Sequence, residues 1–511
     1  MLSFRRLRLA LSALQSRHLS AETSASASRK RAGGSGERDT LGKRLLSLVY
    51  PKRSAVIVLR KWAEEGKGAP QKYQLNRVVR ELRKYRRYKH ALEICEWMTT
   101  RPEIKLLPGD YAVHLDLVAK VRGLASAEKF YEDLPERMKG QSTCTALLHT
   151  YVQSKLSSKA EALMEQMSAH GLLRCPLPYN HMLSLYVSTG ELDKVEDMVK
   201  ELKKNAIPDV FTYNLWLSAC ASKDNMKGAE KVLSEMNDRK ITADWVTYST
   251  LASIYIRAGC HKKAKEALEE MEKRVSQKDR TAYSSLISLH ASLSDRENVN
   301  RIWNKMRSMY RKMSDVEYKC MLSSLTKLGD IKEAESMYDE WESVSGTRDS
   351  RVPNILLAFY VKHRMIDKAE SFHECTVKAG VEPSYSTWEL LAWGHLREKR
   401  MDRVLDCMKK ALSSLEKWQP DNRIVRAVFD RLERQGEVGG AEQFLVMLRD
   451  AGHVNTEIYN SLLRTYAKAC KMPLIVDERM RSDNVEPDEE TRRLLEQTSR
   501  FCVATDVSTL M

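Results

Sequence analysis

Backbone breakers are scarce in this chain, with 21 glycines and 13 prolines in 511 residues. Most of it is free to form regular structure, and few long loops are expected. No run of about 18 apolar residues occurs, so neither a transmembrane helix nor a membrane partner is expected. The ten cysteines stand singly, with no Cys-x-x-Cys pair. That excludes the usual zinc and disulfide frameworks and reads as small buried residues in a reducing compartment. Catalytic signatures are missing too. There is no His-x-Glu with Pro-Cys-x-x-Cys, no Gly-x-x-x-x-Gly-Lys-Ser/Thr, no Gly-x-Ser-x-Gly and no His-Glu-x-x-His. His373-Glu374-Cys375 is a lone cluster that reads as packing and surface rather than metal ligands. Little chain follows the last repeat described below, so an appended nuclease or deaminase domain is not expected. Neither is an enzyme, a metal, a cofactor or a small-molecule substrate.

Acid is absent from the start of the chain, where the first carboxylate is Glu22. Arg5, Arg6, Arg8 and Arg17 lie off a face formed by Leu7, Leu11 and Leu14 at helical spacing. An amphipathic, arginine-rich, acid-free start reads as an organelle transit peptide over residues 1–28, mitochondrial rather than plastid. Residues 29–71 read as a linker, with the low-complexity "SASASRKRAGGSGERD", followed by a basic block. The net charge of +16 favours a polyanionic partner, because neutralising phosphates releases condensed counterions.

What the chain has in abundance is repetition. "PDVFTYNLWL" from Pro208 returns as "ADWVTYSTLA" from Ala243, a step of 35. Within the first copy Tyr213, Leu217 and Cys220 share one helical face. After a break at "SKDN", Ala229, Val232, Leu233 and Met236 share another. The unit is thus two short antiparallel amphipathic helices. Gly190, Gly259, Gly329 and Gly436 each close a first helix. Ala160, Ala229, Ala264, Ala334, Ala369 and Ala441 stand early in second helices, where a small side chain permits close contact. Met98, Met167, Met236, Met271 and Met306 follow such places by seven residues. Units start near 141, 176, 210, 245, 280, 315, 350, 385, 422 and 456, with a small insertion in "SSLEKWQP". Degenerate units fill 72–140, the array runs over 141–488, and 489–511 holds a capping helix and tail. A hairpin of this size cannot bury its apolar face alone, but a stack can. The fold class expected is all-α, a right-handed α-solenoid superhelix of about 10–12 helical-hairpin repeats.

A 35-residue hairpin with Val-x-Thr-Tyr-Asn at its start and Pro-Asp at its end resembles the pentatricopeptide repeat (PPR) family. The blocks "LGKRLLSLVY", "ALEICEWM" and "DYAVHLDLVAKVRGLASAEKFYEDLP" resemble its plant mitochondrial members built only of standard repeats. The resemblance covers roughly residues 40–500. It implies an organelle protein that binds single-stranded RNA, about one base per repeat. By the family's code the residue after Tyr and the last residue of the repeat choose the base. The pairs are Asn180 with Asp209, Asn214 with Asp244, Ser249 with Asp279, Asn354 with Ser384, and Asn460 with Asp488. Asn with Asp implies uracil, Ser with Asp guanine, and Asn with Ser cytosine or uracil. The central three imply U-U-G, 5′ to 3′. Leu177, Phe211, Val246 and Val316 occupy the place of wedges that stack between bases. Two plainer roles compete. Asp209 and Asp244 suit helix N-caps, and Asn214 and Ser249 suit a solvated polar face.

Other repeats depart from the pattern: Thr145 with Cys175, Ser284 with Ser314, Lys319 with Asp349, Glu389 with Asp421, Arg426 with Asn455. In "RELRKYRRYKH" the basic Arg83, Lys84, Arg86, Arg87 and Lys89 interleave with Tyr85 and Tyr88, which suits RNA backbone contact. Two partners follow from these features. One is an organelle mRNA or intron, with the protein acting by occupancy in stabilisation, processing, splicing or translation. The other is rRNA and ribosomal proteins, with the protein a structural subunit of the mitochondrial ribosome.

Overall fold

A computed structural model of the chain describes residues 40–48, 54–66, 68–414 and 420–503. The transit-peptide segment 1–28, residues 415–419 of the expected insertion and the tail 504–511 lie outside the described residues. Among the described residues there are twenty-seven α-helices, one short 3-10 turn and no strand. The chain forms two compact units, Met1–Ser276 and Gln277–Met511. Their boundary lies inside the repeat array, at a place no composition shift marks.

In the first unit, residues assigned to the linker and basic block hold two helices, Leu41–Leu46 and Ala55–Glu64. Leu45 and Leu59 are fully buried there, in one core with Leu75, Leu82 and Ile94. Six hairpins follow, from Lys72–Lys84 with Tyr88–Thr99 to Trp245–Arg257 with His261–Arg274. The second unit has six more, from Arg280–Ser292 with Arg296–Met309 to Thr456–Lys468 with Val476–Ser482. It closes on Glu489–Val503, which packs against Thr456–Lys468 through buried Thr491 and Leu494. Within each unit a first helix packs on its own second helix and on neighbouring first helices, so first helices form a layer.

Local chemistry explains the hairpin. Every turn between paired helices in the array needs one residue in the left-handed region. Gly190, Gly259, Gly329 and Gly436 take it with φ of 88°, 71°, 80° and 62°. In the other repeats Lys155, Asp224, Ser294, Arg364, Lys399 and Cys470 take the same place at φ of 52–62°. Without glycine each such residue costs roughly 1–2 kcal/mol. The six early alanines of the second helices are all fully buried, and Met98, Met167, Met236, Met271 and Met306 are at most 2% exposed. Burying each Met contributes about 1.5–3 kcal/mol. The repeated tyrosine clamps its hairpin internally. Tyr213 Oη donates to Glu235 at 3.0 Å and Tyr318 Oη to Glu340 at 2.9 Å, both 22 residues on.

Candidate nucleic-acid interface

The residue after the repeated Tyr lies one turn into each first helix, on the side facing the next first helix. At Asn180, Asn214 and Asn460 the same arrangement recurs. Asn180 Nδ2 donates to Asp209 Oδ1 at 3.1 Å, and Asn214 Nδ2 to Asp244 Oδ1 at 3.1 Å. Asn460 Nδ2 lies 3.1 Å from both oxygens of Asp488. Each aspartate also caps the helix it precedes. Its Oδ1 accepts the backbone N–H of Thr212, Thr247 or Thr491 at 2.8–2.9 Å. Capping, one of the two readings of these aspartates, holds, and the same carboxylate oxygen also accepts the asparagine N–H. The backbone N–H of Thr491, then the Asn460 and Thr491 side chains, hold the Asp488 carboxyl below its usual range.

The asparagines themselves are not on a solvated face. Asn180 and Asn214 are 2% exposed, Asn460 is fully buried and Ser249 is 2% exposed. The neighbouring first helices close over them, while Asp209 and Asp244 stay half-exposed beside them. Ser249 belongs to the first unit and Asp279 to the second. Asn354 accepts from Thr387 Oγ1 at 3.0 Å, and Ser384 Oγ meets that same hydroxyl at 3.1 Å.

The wedge positions differ in burial. Val246 is 1% exposed and Phe211 8%, and both lie in one core cluster with Leu215 and Ala219. Their apolar side chains fill the seam between first helices. Leu177 is half-buried, and Val316 is 62% exposed. The basic run divides as well. Arg83 Nη2 is held by Asp116 Oδ2 at 2.8 Å, and Arg87 Nη1 donates to the Leu46 carbonyl at 2.7 Å. Both are engaged in holding the fold. Lys84 (beside Glu81), Arg86 and Lys89 are exposed, as are Arg77 and the rings of Tyr73 and Tyr85.

The departing repeats spend their side chains on other bonds. Thr145 Oγ1 donates to the Gln141 carbonyl at 2.6 Å and Ser284 Oγ to that of Arg280 at 3.1 Å. Lys319 Nζ pairs with Asp349 at 3.2 Å. Burial, and then the Asp421 charge, push the Glu389 carboxyl up, while Asp421 is gripped by Arg423. Arg426 is exposed, and Asn455 caps the next helix through Ile458 N–H at 3.0 Å.

Two features escaped the sequence reading. The hydroxyls of Thr212, Thr247 and Thr491 lie 2.6–2.7 Å from the Oδ1 of the preceding asparagine. The only sequence signal was the Thr of the recurring Thr-Tyr phrase. In the degenerate repeats Asn76 Nδ2 donates to Asp110 Oδ1 at 2.9 Å, a contact that no phrase announces.

A stack of helical hairpins with a recurring Asn–Asp pair defines a helical-repeat protein. Models of known families identify the repeat. The PPR repeat family model matches residues 208–253, and the pentatricopeptide repeat domain model matches 177–223 and 231–288. The PPR repeat model matches 142–172 and 318–344. A mitochondrial pentatricopeptide repeat-containing protein of Arabidopsis thaliana is 60% identical over 475 residues, covering 93% of this chain and 89% of the relative. A second mitochondrial one from the same plant is 34% identical, covering 83% and 86%, and a third 31% identical, covering 91% and 95%. The crystal structure of the maize pentatricopeptide repeat protein PPR10 in complex with an 18-nt psaJ RNA element has a TM-score of 0.42 at 18% identity, covering 89% of this chain and 79% of that one. The chain belongs to the pentatricopeptide repeat family. It is a mitochondrial member, as the names of these three relatives show.

Proposed function

We propose that the chain binds single-stranded RNA in mitochondria, along the layer of first helices, and acts by occupying its transcript. The observation that carries this reading is the recurrence of one geometry, the Asn–Asp bond of 3.1 Å at Asn180, Asn214 and Asn460. A carboxamide both donates and accepts, which suits the Watson–Crick edge of an unpaired base. Asn354 with Ser384 is a further reading pair. The exposed Lys84, Arg86 and Lys89 contact phosphates, and the maize relative's complex with RNA is in keeping with this partner.

The test is selection of the full chain against a randomised single-stranded RNA pool. Wild type should enrich uracil at two adjacent positions, and Asn214→Ala with Asp244→Ala should lose the preference at one of them. Unchanged enrichment in the double variant would refute base reading by this pair. Lys84→Ala, Arg86→Ala and Lys89→Ala together should weaken binding to all sequences alike and flatten its salt dependence.

A second reading, a structural subunit of the mitochondrial ribosome, is favoured by the second unit, where reading places hold the ion pairs Lys319–Asp349 and Arg423–Asp421. Sedimentation of mitochondrial extract with and without RNase separates the two. Comigration with ribosomal subunits favours the second.

A further inference from the structure

We propose that Thr212, Thr247 and Thr491 are positioning residues for RNA reading: each, with the aspartate before it, sets the donor–acceptor order of the asparagine carboxamide in the preceding repeat. The inference rests on the base-reading role proposed above.

The argument is a count of protons. Asp209 Oδ1 accepts the Thr212 N–H at 2.8 Å and Asn180 Nδ2 at 3.1 Å. Thr212 Oγ1 lies 2.8 Å from that same oxygen and 2.7 Å from Asn180 Oδ1. A hydroxyl has one proton to give. Asp209 Oδ1 already has two N–H donors, whereas Asn180 Oδ1 would otherwise face another oxygen at 2.7 Å. The proton therefore goes to the asparagine. The three side chains close a ring in which Asp takes the amide N–H and Thr supplies the carbonyl's bond. Turning the carboxamide over would set its oxygen 3.1 Å from a carboxylate oxygen. Its polarity is thus fixed by two neighbours rather than chosen by the ligand. The ring recurs at Asn214, Asp244 and Thr247, and at Asn460, Asp488 and Thr491. At Asn354 a serine replaces the aspartate and the threonine bond remains, at 3.0 Å.

The sequence of the array carries the same coupling independently. Asn180, Asn214, Asn354 and Asn460 are each followed, one repeat on, by a threonine at the third helical position. Where the reading residue is Thr145, Ser249, Ser284, Glu389 or Arg426, that position holds Pro178, Ala282, Glu317, Ile424 or Ile458, and after Lys319 the matching step of 35 falls on Val352, the residue just before its helix. Elsewhere in the array only Thr143, one repeat after Ala112, is a threonine at that place, and its hydroxyl donates to the Met138 carbonyl at 2.8 Å instead. A fixed amide leaves one N–H and one carbonyl lone pair in a set order, which separates uracil from cytosine, whose edges present donor and acceptor in opposite order.

The experiment compares Thr247→Val, Thr247→Ser and Asn214→Ala/Asp244→Ala with wild type, all as full-length chains, on the randomised RNA pool. Melting curves confirm that each is folded. Thr247→Val should reduce base preference at the single nucleotide opposite Asn214 by about tenfold and leave the neighbouring nucleotide unchanged. Thr247→Ser, which keeps the hydroxyl, should restore it. Thr491→Val, within the capping helix, repeats the test opposite Asn460 should Thr247→Val fail to fold. Unaltered preference in folded valine variants overturns the proposal, and so does an equal loss of affinity for all sequences. If the Asn214→Ala/Asp244→Ala variant alters no position, the base-reading premise itself falls. If only the valine variants are silent, the premise stands and the positioning role falls.

Discussion

The two units use the same hairpin and fill its reading places differently. In the first, two consecutive repeats carry closed rings around Asn180 and Asn214, each asparagine 2% exposed. In the second, the corresponding places are taken by Ser284, by the Lys319–Asp349 ion pair, by Asn354 without an aspartate and by Glu389, and only Asn460 regains a full ring. The contrast separates two demands on one repeat. Stacking requires the buried Ala, Met and Tyr, and both units supply them. Reading requires side chains that agree across a repeat boundary, and that agreement is local.

The largest expected effect tests the shared demand. Trp341 stands one step of 35 after Met306 and so replaces the repeated methionine in the second unit. It is 1% exposed, and its indole N–H donates to Asp315 at 2.8 Å. Trp341→Ala should cost about 3–5 kcal/mol, more than Met236→Ala in the first unit. Denaturant unfolding with hydrogen exchange resolved along the chain would measure both. Equal losses would erase the distinction.

Next comes the reading place itself. Asn214→Ala leaves the Thr247 hydroxyl and Asp244 short of a partner in a buried seam, and should cost about 1–3 kcal/mol. Ser284→Ala at the matching place should stay within about 0.5 kcal/mol, because the Ser284 hydroxyl bonds only its own helix. The same unfolding measurement decides it.

Acid should act on a stack of histidines in the first unit. The His149 and His181 rings lie 4.9 Å apart, and both His181 nitrogens are buried without a partner. Burial drives His181 well below 6.5 and lowers His149, and it takes His114 down to about 4. A histidine whose folded value is depressed binds its proton more readily when unfolded. Stability should therefore fall as pH drops below 6.5, by about 1.4 kcal/mol per pH unit for each such group until its folded value is reached. Comparing unfolding at pH 7.5 and 5.5 should show a shallower loss in His181→Leu than in wild type.

The smallest effect spans both units. Lys155→Gly in the first and Arg364→Gly in the second relieve left-handed strain and should each stabilise by up to about 1 kcal/mol. Gly190→Ala should lose a similar amount. Melting temperatures of the three variants suffice.

Much of this was legible from periodicity. The step of 35, the closing glycines and the small alanines marked the hairpins and the buried face, and the Asn and Asp of each pair were nameable before any coordinates. The rest was not legible, because its partners lie a repeat away. Arg83 reads as a free cation in "RELRKYRRYKH" until Asp116, 33 residues on, is found 2.8 Å from it. Val246 reads as an open wedge until the neighbouring first helix closes over it.

The sequence by itself determined the repeat, its helices and the identity of the residues at each reading place, because helical spacing and turn chemistry act within a few residues. Tertiary structure decided which atoms meet. Stacking brings Asn214 to Thr247 across 33 positions, buries both and joins them in a closed ring. No local pattern contains that contact, since it exists only once one hairpin has packed on the next.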